Sequence, residues 1–260
     1  MLLAIDVGNT NTVLGAFEGE SLRQQWRVET SQSRTYDEWG ILVRQLYASV
    51  GLDPARVRAI AISSVVPPLA FALEQMSQRY FGVKPLFVGP GVKTGLPILY
   101  DNPREVGADR VVNALAAFQR FGGPAVVVDF GTSTNFDVVS DKGEFLGGVI
   151  APGLQISAAA LVGRTARLTR VDLQPPRSPI GKSTVEAIQS GLLYGTAGEV
   201  DAIVDRIRAE LDAPDAPVVA TGGLAPVVIP HCRTVGHHEP WLTLHGLRMV
   251  YDHTMGDADA

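Results

Sequence analysis

The sequence predicts an α/β protein built from two related domains. Three observations lead there. Apolar strand-like runs alternate with amphipathic helical segments, and a short β-turn-β pattern at the N-terminus is echoed in mid-chain. In addition, 260 residues with 46% hydrophobic content suffice for two packed cores. A duplicated unit implies duplicated domains, expected over residues 1–118 and 119–260.

Residues 2–5 and 12–17 are strand-like runs separated by the polar turn Asp6-Val7-Gly8-Asn9-Thr10-Asn11, and a third run at 22–28 extends the hairpin. Thr35-Tyr36-Asp37-Glu38 is a capping-box pattern. Trp39, Leu42, Val43, Leu46 and Val50 follow at helical spacing until Gly51. Residues 57–66 form a β-branched apolar run stopped by Pro67-Pro68, and then come a helix to about Tyr80 and a short strand at 84–88. The Gly- and Pro-rich stretch 89–106 has little periodicity and reads as a loop of the kind that carries binding residues. A helix over 109–121 leads out of the first half.

The second half restarts with a strand at 125–128, the turn Asp129-Phe130-Gly131-Thr132-Ser133-Thr134 and a returning strand at 135–139. Here, as at residues 2–17, an apolar strand ends in Asp-x-Gly with hydroxyl residues after it. A glycine-rich block at 147–153 follows, then a long helix over 183–211 with Ser183 and Glu186 as its capping box. A strand at 218–221 and a last helix over 242–255 complete the pattern. Gly191, Gly195 and Gly198 lie inside the long helix, each weakening it by roughly 1 kcal/mol relative to Ala, so something is expected to approach it closely.

Composition narrows the function classes. A net charge of -5 with no Lys/Arg run argues against nucleic acid as a main partner. A single cysteine, Cys232, excludes an intramolecular disulfide framework and fits a reducing compartment, with cytoplasm the expected location. The N-terminal apolar run stops at Asp6, too short for a signal-peptide core or a membrane span, so no membrane association is expected. Gly181-Lys182-Ser183 looks like the end of a P-loop, but Pro176 stands where the motif needs Gly and no strand precedes it. His231, Cys232, His237 and His238 match no zinc spacing template.

Two Asp-x-Gly turns followed by hydroxyl residues offer what phosphoryl transfer needs: backbone N–H groups and hydroxyls for phosphate oxygens, Gly for close approach, and carboxylates for hydrated cations. One such turn is commonly just a hairpin connection; the repetition gives the pattern its weight. The turns Asp6-Val7-Gly8-Asn9-Thr10-Asn11-Thr12 and Asp129-Phe130-Gly131-Thr132-Ser133-Thr134 resemble the phosphate motifs of the acetate and sugar kinase, heat-shock ATPase and actin superfamily. Within it the chain is most similar to type III pantothenate kinases. Tyr100-Asp101-Asn102-Pro103, Val106-Gly107-Ala108-Asp109-Arg110, Gly148-Val149-Ile150-Ala151-Pro152-Gly153, Gly181-Lys182-Ser183-Thr184 and Thr221-Gly222-Gly223-Leu224-Ala225 all look like that family's blocks.

The resemblance implies two domains of the actin-like ATPase (ribonuclease H-like) fold with the active site in the interdomain cleft. It implies ATP-dependent phosphorylation of pantothenate to 4'-phosphopantothenate, the first step of coenzyme A biosynthesis. By the same resemblance Asp6, Val7, Gly8, Asn9, Thr10, Asn11, Thr12 and Val13 bind the ATP phosphates, with Asp6 holding magnesium through water and Thr132 also touching phosphate. Asp129 holds a monovalent cation, potassium or ammonium. Asp109 is the general base for in-line attack on the γ-phosphate, and Tyr100, Gly107, Ala108, Asp109, Arg110 and Thr184 form the pantothenate pocket of a homodimer. Taken without the resemblance, Asp109 and Arg110 open a helix, where Asp suits the helix dipole. Asn135 departs from the family pattern, standing where many relatives carry Thr. The alternatives are another small-molecule kinase of the same fold or a non-enzymatic ATP-binding regulatory protein.

Overall fold

A computed structural model describes residues 1–89, 92–163 and 171–256. Residues 90 and 91 of the expected loop therefore lie outside the described residues. The chain folds into two compact units, one made of Met1–Pro97, Asp101–Ala116 and the chain from Thr243, the other of Ile98–Tyr100 and Ala117–Leu242.

The first unit contains β1 (Leu2–Val7), β2 (Asn11–Glu18), β3 (Ser21–Glu29), α1 (Tyr36–Ser49), β4 (Ala59–Ser64), α2 (Ala70–Phe81), β5 (Leu86–Val88) and most of α3 (Ala108–Phe121). Its sheet runs β3-β2-β1-β4-β5, antiparallel through the first three strands and parallel from β1 to β5. Strand alternation puts Leu3, Ile5 and Val7 on one face, where they pack with Ile60 and Ile62 against Trp39, Val43 and Tyr47 of α1 and Leu73 and Met76 of α2. Each such buried side chain contributes roughly 1.5–3 kcal/mol. The capping box at Thr35 forms as its sequence predicts, with Glu38 answering the Thr35 backbone N–H at 2.7 Å.

The second unit repeats that plan with β6 (Ala125–Phe130), β7 (Ser133–Val139), β8 (Phe145–Pro152), α4 (Leu154–Gly163), α5 (Thr184–Glu210), β9 (Val218–Thr221), α6 (Ala225–Val228) and β10 (His237–His238). The order β8-β7-β6-β9-β10 is the first sheet over again, strand for strand and direction for direction. Val126, Val128 and Phe130 pack against Leu193, Ala197, Val200 and Val204 of α5. α7 (Leu242–Gly256) belongs to the first unit from Thr243 onward, where a Cβ on Gly246 would lie 2.1 Å from the Val112 carbonyl oxygen of α3. Leu244 of α7 reaches Gly15 of β2, so α7 covers the sheet face opposite α1 and α2.

Two local expectations change. Ser183 does cap α5, accepting from the Glu186 N–H at 3.2 Å, but the Glu186 carboxylate accepts from the Lys182 N–H at 3.0 Å and pairs with Arg177 instead of closing a box on Ser183. Among the described residues nothing beyond the helix's own neighbouring backbone comes within 4 Å of a Cβ placed on Gly191, Gly195 or Gly198, so the close approach expected at that helix is not made there. β8, α4, α6 and β10 are additions that periodicity did not reveal; β8 runs through the glycine-rich block, β10 is only two residues long, and α4 is apolar on nearly all sides.

Candidate active site

The two turns occupy equivalent places in the two sheets. Asp6 lies on central strand β1, opposite Val13 of β2 and, on the parallel side, beside Ser63 of β4. Asp129 lies on β6, opposite Asn135 and beside Thr221 of β9. In each unit the carboxylate sits on the sheet face away from the core formed with α1 and α2 or with α5, and a buried hydroxyl residue flanks it: Ser63 at 0% exposure and Thr221 at 2%.

In the first turn the Gly8 N–H donates to the Asn11 carbonyl at 3.0 Å, and a Cβ on Gly8 would crowd that oxygen at the same distance. Asp6, Gly8 and Val13 are half-buried, Val7 and Thr12 buried, and Asn9, Thr10 and Asn11 exposed. Among the described residues the Ser63 hydroxyl has no hydrogen-bond partner. A carboxylate with a buried, unsatisfied hydroxyl in the adjacent register position is an all-oxygen donor set, the kind that suits a hydrated divalent ion.

Asp109 and Arg110 stand in the first turn of α3. The Asp109 carboxylate folds back over Gly107: it accepts from the Arg110 N–H at 3.0 Å, and a Cβ on Gly107 would lie 2.4 Å from Oδ1. Gly107 also accepts from the Arg110 and Val111 N–H groups through its carbonyl, at 3.1 and 3.3 Å, so the glycine both starts the helix and leaves room for the carboxylate. Burial pushes the Asp109 carboxyl above the ordinary carboxylate range, and the Arg110 N–H and guanidinium charge offset only part of that rise. A half-buried carboxylate at a helix start, with a raised affinity for protons, has the character of a general base. Ala108 is half-buried and Arg110 is 8% exposed.

In the second unit the Gly131 N–H donates to the Ser133 carbonyl at 3.0 Å, and Thr132 is exposed at the tip of the turn. Asn135 is turned to its own strand, its Oδ1 accepting from the Ser133 hydroxyl at 2.9 Å. Gly222, at φ +92°, lies against Asp129: a Cβ there would sit 2.4 Å from Oδ1 and 2.6 Å from the Phe130 backbone. The absent side chain lets the Gly222 backbone pack directly against the Asp129 carboxylate, and a carboxylate is a hard oxygen ligand of the type that suits an alkali cation. Tyr100 is half-buried beside Gly147, its ring centroid 6.4 Å from that of Phe145, and the segment before it bridges to β8 through the Leu99 N–H and the Phe145 carbonyl at 2.8 Å. Thr184 is exposed at the start of α5, where a Cβ on Gly181 would meet the Ala187 nitrogen at 2.3 Å.

A family model described as type III pantothenate kinase matches residues 2–206. The chain belongs to the type III pantothenate kinase family. A family member from Anaeromyxobacter sp. (strain Fw109-5) is 64% identical over 253 residues, covering 97% of this chain and 99% of that protein. Among solved structures, the activator of 2-hydroxyisocaproyl-CoA dehydratase from Clostridium difficile superposes with a TM-score of 0.59 at 11% identity, covering 100% and 97% of the two chains. The ROK hexokinase from Thermus thermophilus gives 0.53 at 14% identity, covering 100% and 99%. At such identities these likenesses show the fold, which is the actin-like ATPase fold with two five-stranded mixed sheets.

Membership in the kinase family directs attention to residues that motif reading left without roles. Gly153, the first residue beyond β8, has its Cα so near the second turn that a Cβ would lie 2.1 Å from the Thr132 carbonyl oxygen. Thr30, the first residue beyond β3, occupies the equivalent place in the first unit and bonds the first turn directly. Ser63 is the third. The duplication itself was the available signal: once β1 is aligned with β6, the residue ending the third strand and the one on the parallel neighbour follow by counting.

Proposed function

We propose that this chain transfers the γ-phosphoryl group of ATP to the hydroxyl of pantothenate, giving 4'-phosphopantothenate and ADP, the opening reaction of coenzyme A biosynthesis. Family membership supplies the reaction. The observation that carries the mechanism is Asp109, whose carboxylate is held over Gly107 with its proton affinity raised by burial. Asp109 takes the proton of the attacking hydroxyl as that oxygen bonds to the γ-phosphorus, and the bond from phosphorus to the bridging oxygen of ADP breaks in line.

Residues 6–13 hold the ATP phosphates, with the N–H groups of the exposed tip and the Thr10 hydroxyl facing them, while Val7 and Val13 anchor the turn. Thr132 binds phosphate from the second turn. Asp6 would hold magnesium through water and Asp129 a monovalent cation; bound there, the ions would neutralise charge on the phosphates. Arg110 receives the pantothenate carboxylate, with Tyr100, Gly107, Ala108 and Thr184 shaping the pocket. We place the working enzyme in the cytoplasm as a homodimer. The open glycine face of α5 and the exposed Val149 and Ile150 of edge strand β8 support a partner surface.

The test is ADP release by purified protein with ATP, magnesium and pantothenate, in potassium or in sodium. Turnover that needs pantothenate and potassium and is lost in Asp109→Asn supports the proposal. ATP binding with no pantothenate-dependent release overturns the choice of acceptor.

A further inference from the structure

We propose that Thr30 is a positioning residue for ATP: it clamps the first phosphate turn from behind and so aims the turn's N–H groups outward. The inference rests on the reading of residues 6–13 as the ATP turn. Thr30 makes three bonds there. Its N–H donates to the Thr10 carbonyl at 3.0 Å, its hydroxyl donates to the Gly8 carbonyl at 2.8 Å, and the same hydroxyl lies 2.9 Å from that of Thr12. A hydroxyl carries one proton. Because the Thr30 proton goes to Gly8, the Thr12 hydroxyl is the donor in the third bond. Thr12 is fully buried, so its proton is committed inside the protein, and its side chain serves the turn from within.

The geometry of the trans peptide gives the clamp its consequence. In each planar unit the C=O and the following N–H point in opposite directions. Holding the Gly8 carbonyl toward β3 therefore turns the Asn9 N–H away from it, and holding the Thr10 carbonyl does the same for Asn11. Both residues are exposed. Two N–H groups held away from β3 at alternate positions of an exposed turn can serve as donors to phosphate oxygens, and fixing them before ATP arrives lowers the ordering cost of binding. The second unit braces its turn differently, since Gly153 has no side chain and supports Thr132 by backbone contact alone. The hydroxyl clamp is thus a feature of the first turn, not of the duplicated plan.

The experiment compares Thr30→Val, Thr30→Ala, Thr30→Ser and Thr10→Ala in the full-length enzyme. It reads KM for ATP, KM for pantothenate, kcat, and calorimetric affinity for magnesium-ATP. Both truncations remove the hydroxyl, one with and one without change of shape, so either folded variant suffices. The expected result is a rise in ATP KM and Kd of about tenfold, on the scale of one or two lost hydrogen bonds, with pantothenate KM within about twofold. Thr30→Ser restores ATP affinity. A merely structural Thr30 would lower thermal stability and leave the ratio of the two KM values unchanged, and that result overturns the proposal. If Thr10→Ala weakens ATP and the truncations do not, the clamp falls while the turn assignment stands. If none of the variants affects ATP, the assignment of the turn falls and the clamp with it.

Discussion

Gly107→Ala isolates the placement of Asp109 from its chemistry. The added methyl would start 2.4 Å from Oδ1, so the carboxylate oxygen must retreat by about 1 Å to reach ordinary van der Waals separation. Displacing a catalytic group by that distance can cost about 10²-fold in rate, which is roughly 2.7 kcal/mol of transition-state stabilisation. The backbone should not object, because Gly107 is not among the glycines with positive φ. Replacing such a glycine by alanine restricts the unfolded chain and adds about 0.4–1 kcal/mol of stability. The expected signature is therefore an enzyme as stable as the wild type or slightly more so, with kcat down about 100-fold and ATP affinity unchanged. Steady-state kinetics beside a denaturant unfolding curve would measure it. A variant that keeps kcat within about threefold would show that the carboxylate has slack at this position, and the argument that Gly107 places the base would fail.

Further expectations concern the same groups. Burial raises the Asp109 pKa, so the folded protein holds that proton more tightly than the unfolded chain. Stability is then lost as pH rises from the unfolded carboxylate value toward the raised folded one, and stays lower above it. Asp109→Asn should accordingly be more stable than the wild type at neutral pH, with no advantage below about pH 4, while kcat falls about 10²–10⁴-fold; a pH series of unfolding curves checks the first and turnover the second. For wild type, the acid limb of kcat/KM should lie above the ordinary carboxylate pKa. Gly153→Ala should displace the second turn and reduce activity far more than it reduces stability, since its Cβ would meet the Thr132 carbonyl at 2.1 Å. Gly222→Ala combines a φ of +92° with a 2.4 Å clash against Asp129, so a loss of about 2–4 kcal/mol in unfolding free energy and a weakened response to potassium are expected together. Gly191→Ala separates two states of α5: it should raise stability by about 1 kcal/mol if the helix face stays open, and lower the dimer affinity in light scattering if a second subunit packs there.

Sequence patterning located most of the main strands and long helices because each has a strong local cause: period-two apolar runs bounded by Asp-x-Gly turns, and caps such as Thr35 and Ser183; β8 escaped it because glycines interrupt its apolar run. It missed β10 because two residues held by a parallel neighbour carry no pattern of their own, and α4 because an all-apolar helix has no amphipathic period. Motif residues point to Asp6, Asp109 and Asp129 as candidates, and the structure places Asp6 and Asp129 on equivalent strands and Asp109 at a helix start. Thr30, Ser63 and Gly153 belong to no turn motif, and because their contacts are made across strands or beyond strand ends they emerge only when the two halves are aligned. The glutamate of the second capping box shows the same limit: Ser183 and Glu186 have the right spacing, but Arg177 and the Lys182 N–H take the carboxylate. Spacing states who can meet, and neighbours from elsewhere in the chain decide who does.

Asp6 and Asp129 each stand on a strand that has a partner on both sides. Backbone amides in such strands exchange with solvent only when the sheet itself opens, so the positions around both carboxylates should share the slowest hydrogen exchange of their units. Thr132, Asn9 and Thr184, at tips and helix starts, should exchange orders of magnitude faster. The enzyme would then keep the two carboxylates proposed to hold ions in the parts that open last, and meet its changing ligands with the parts that open first.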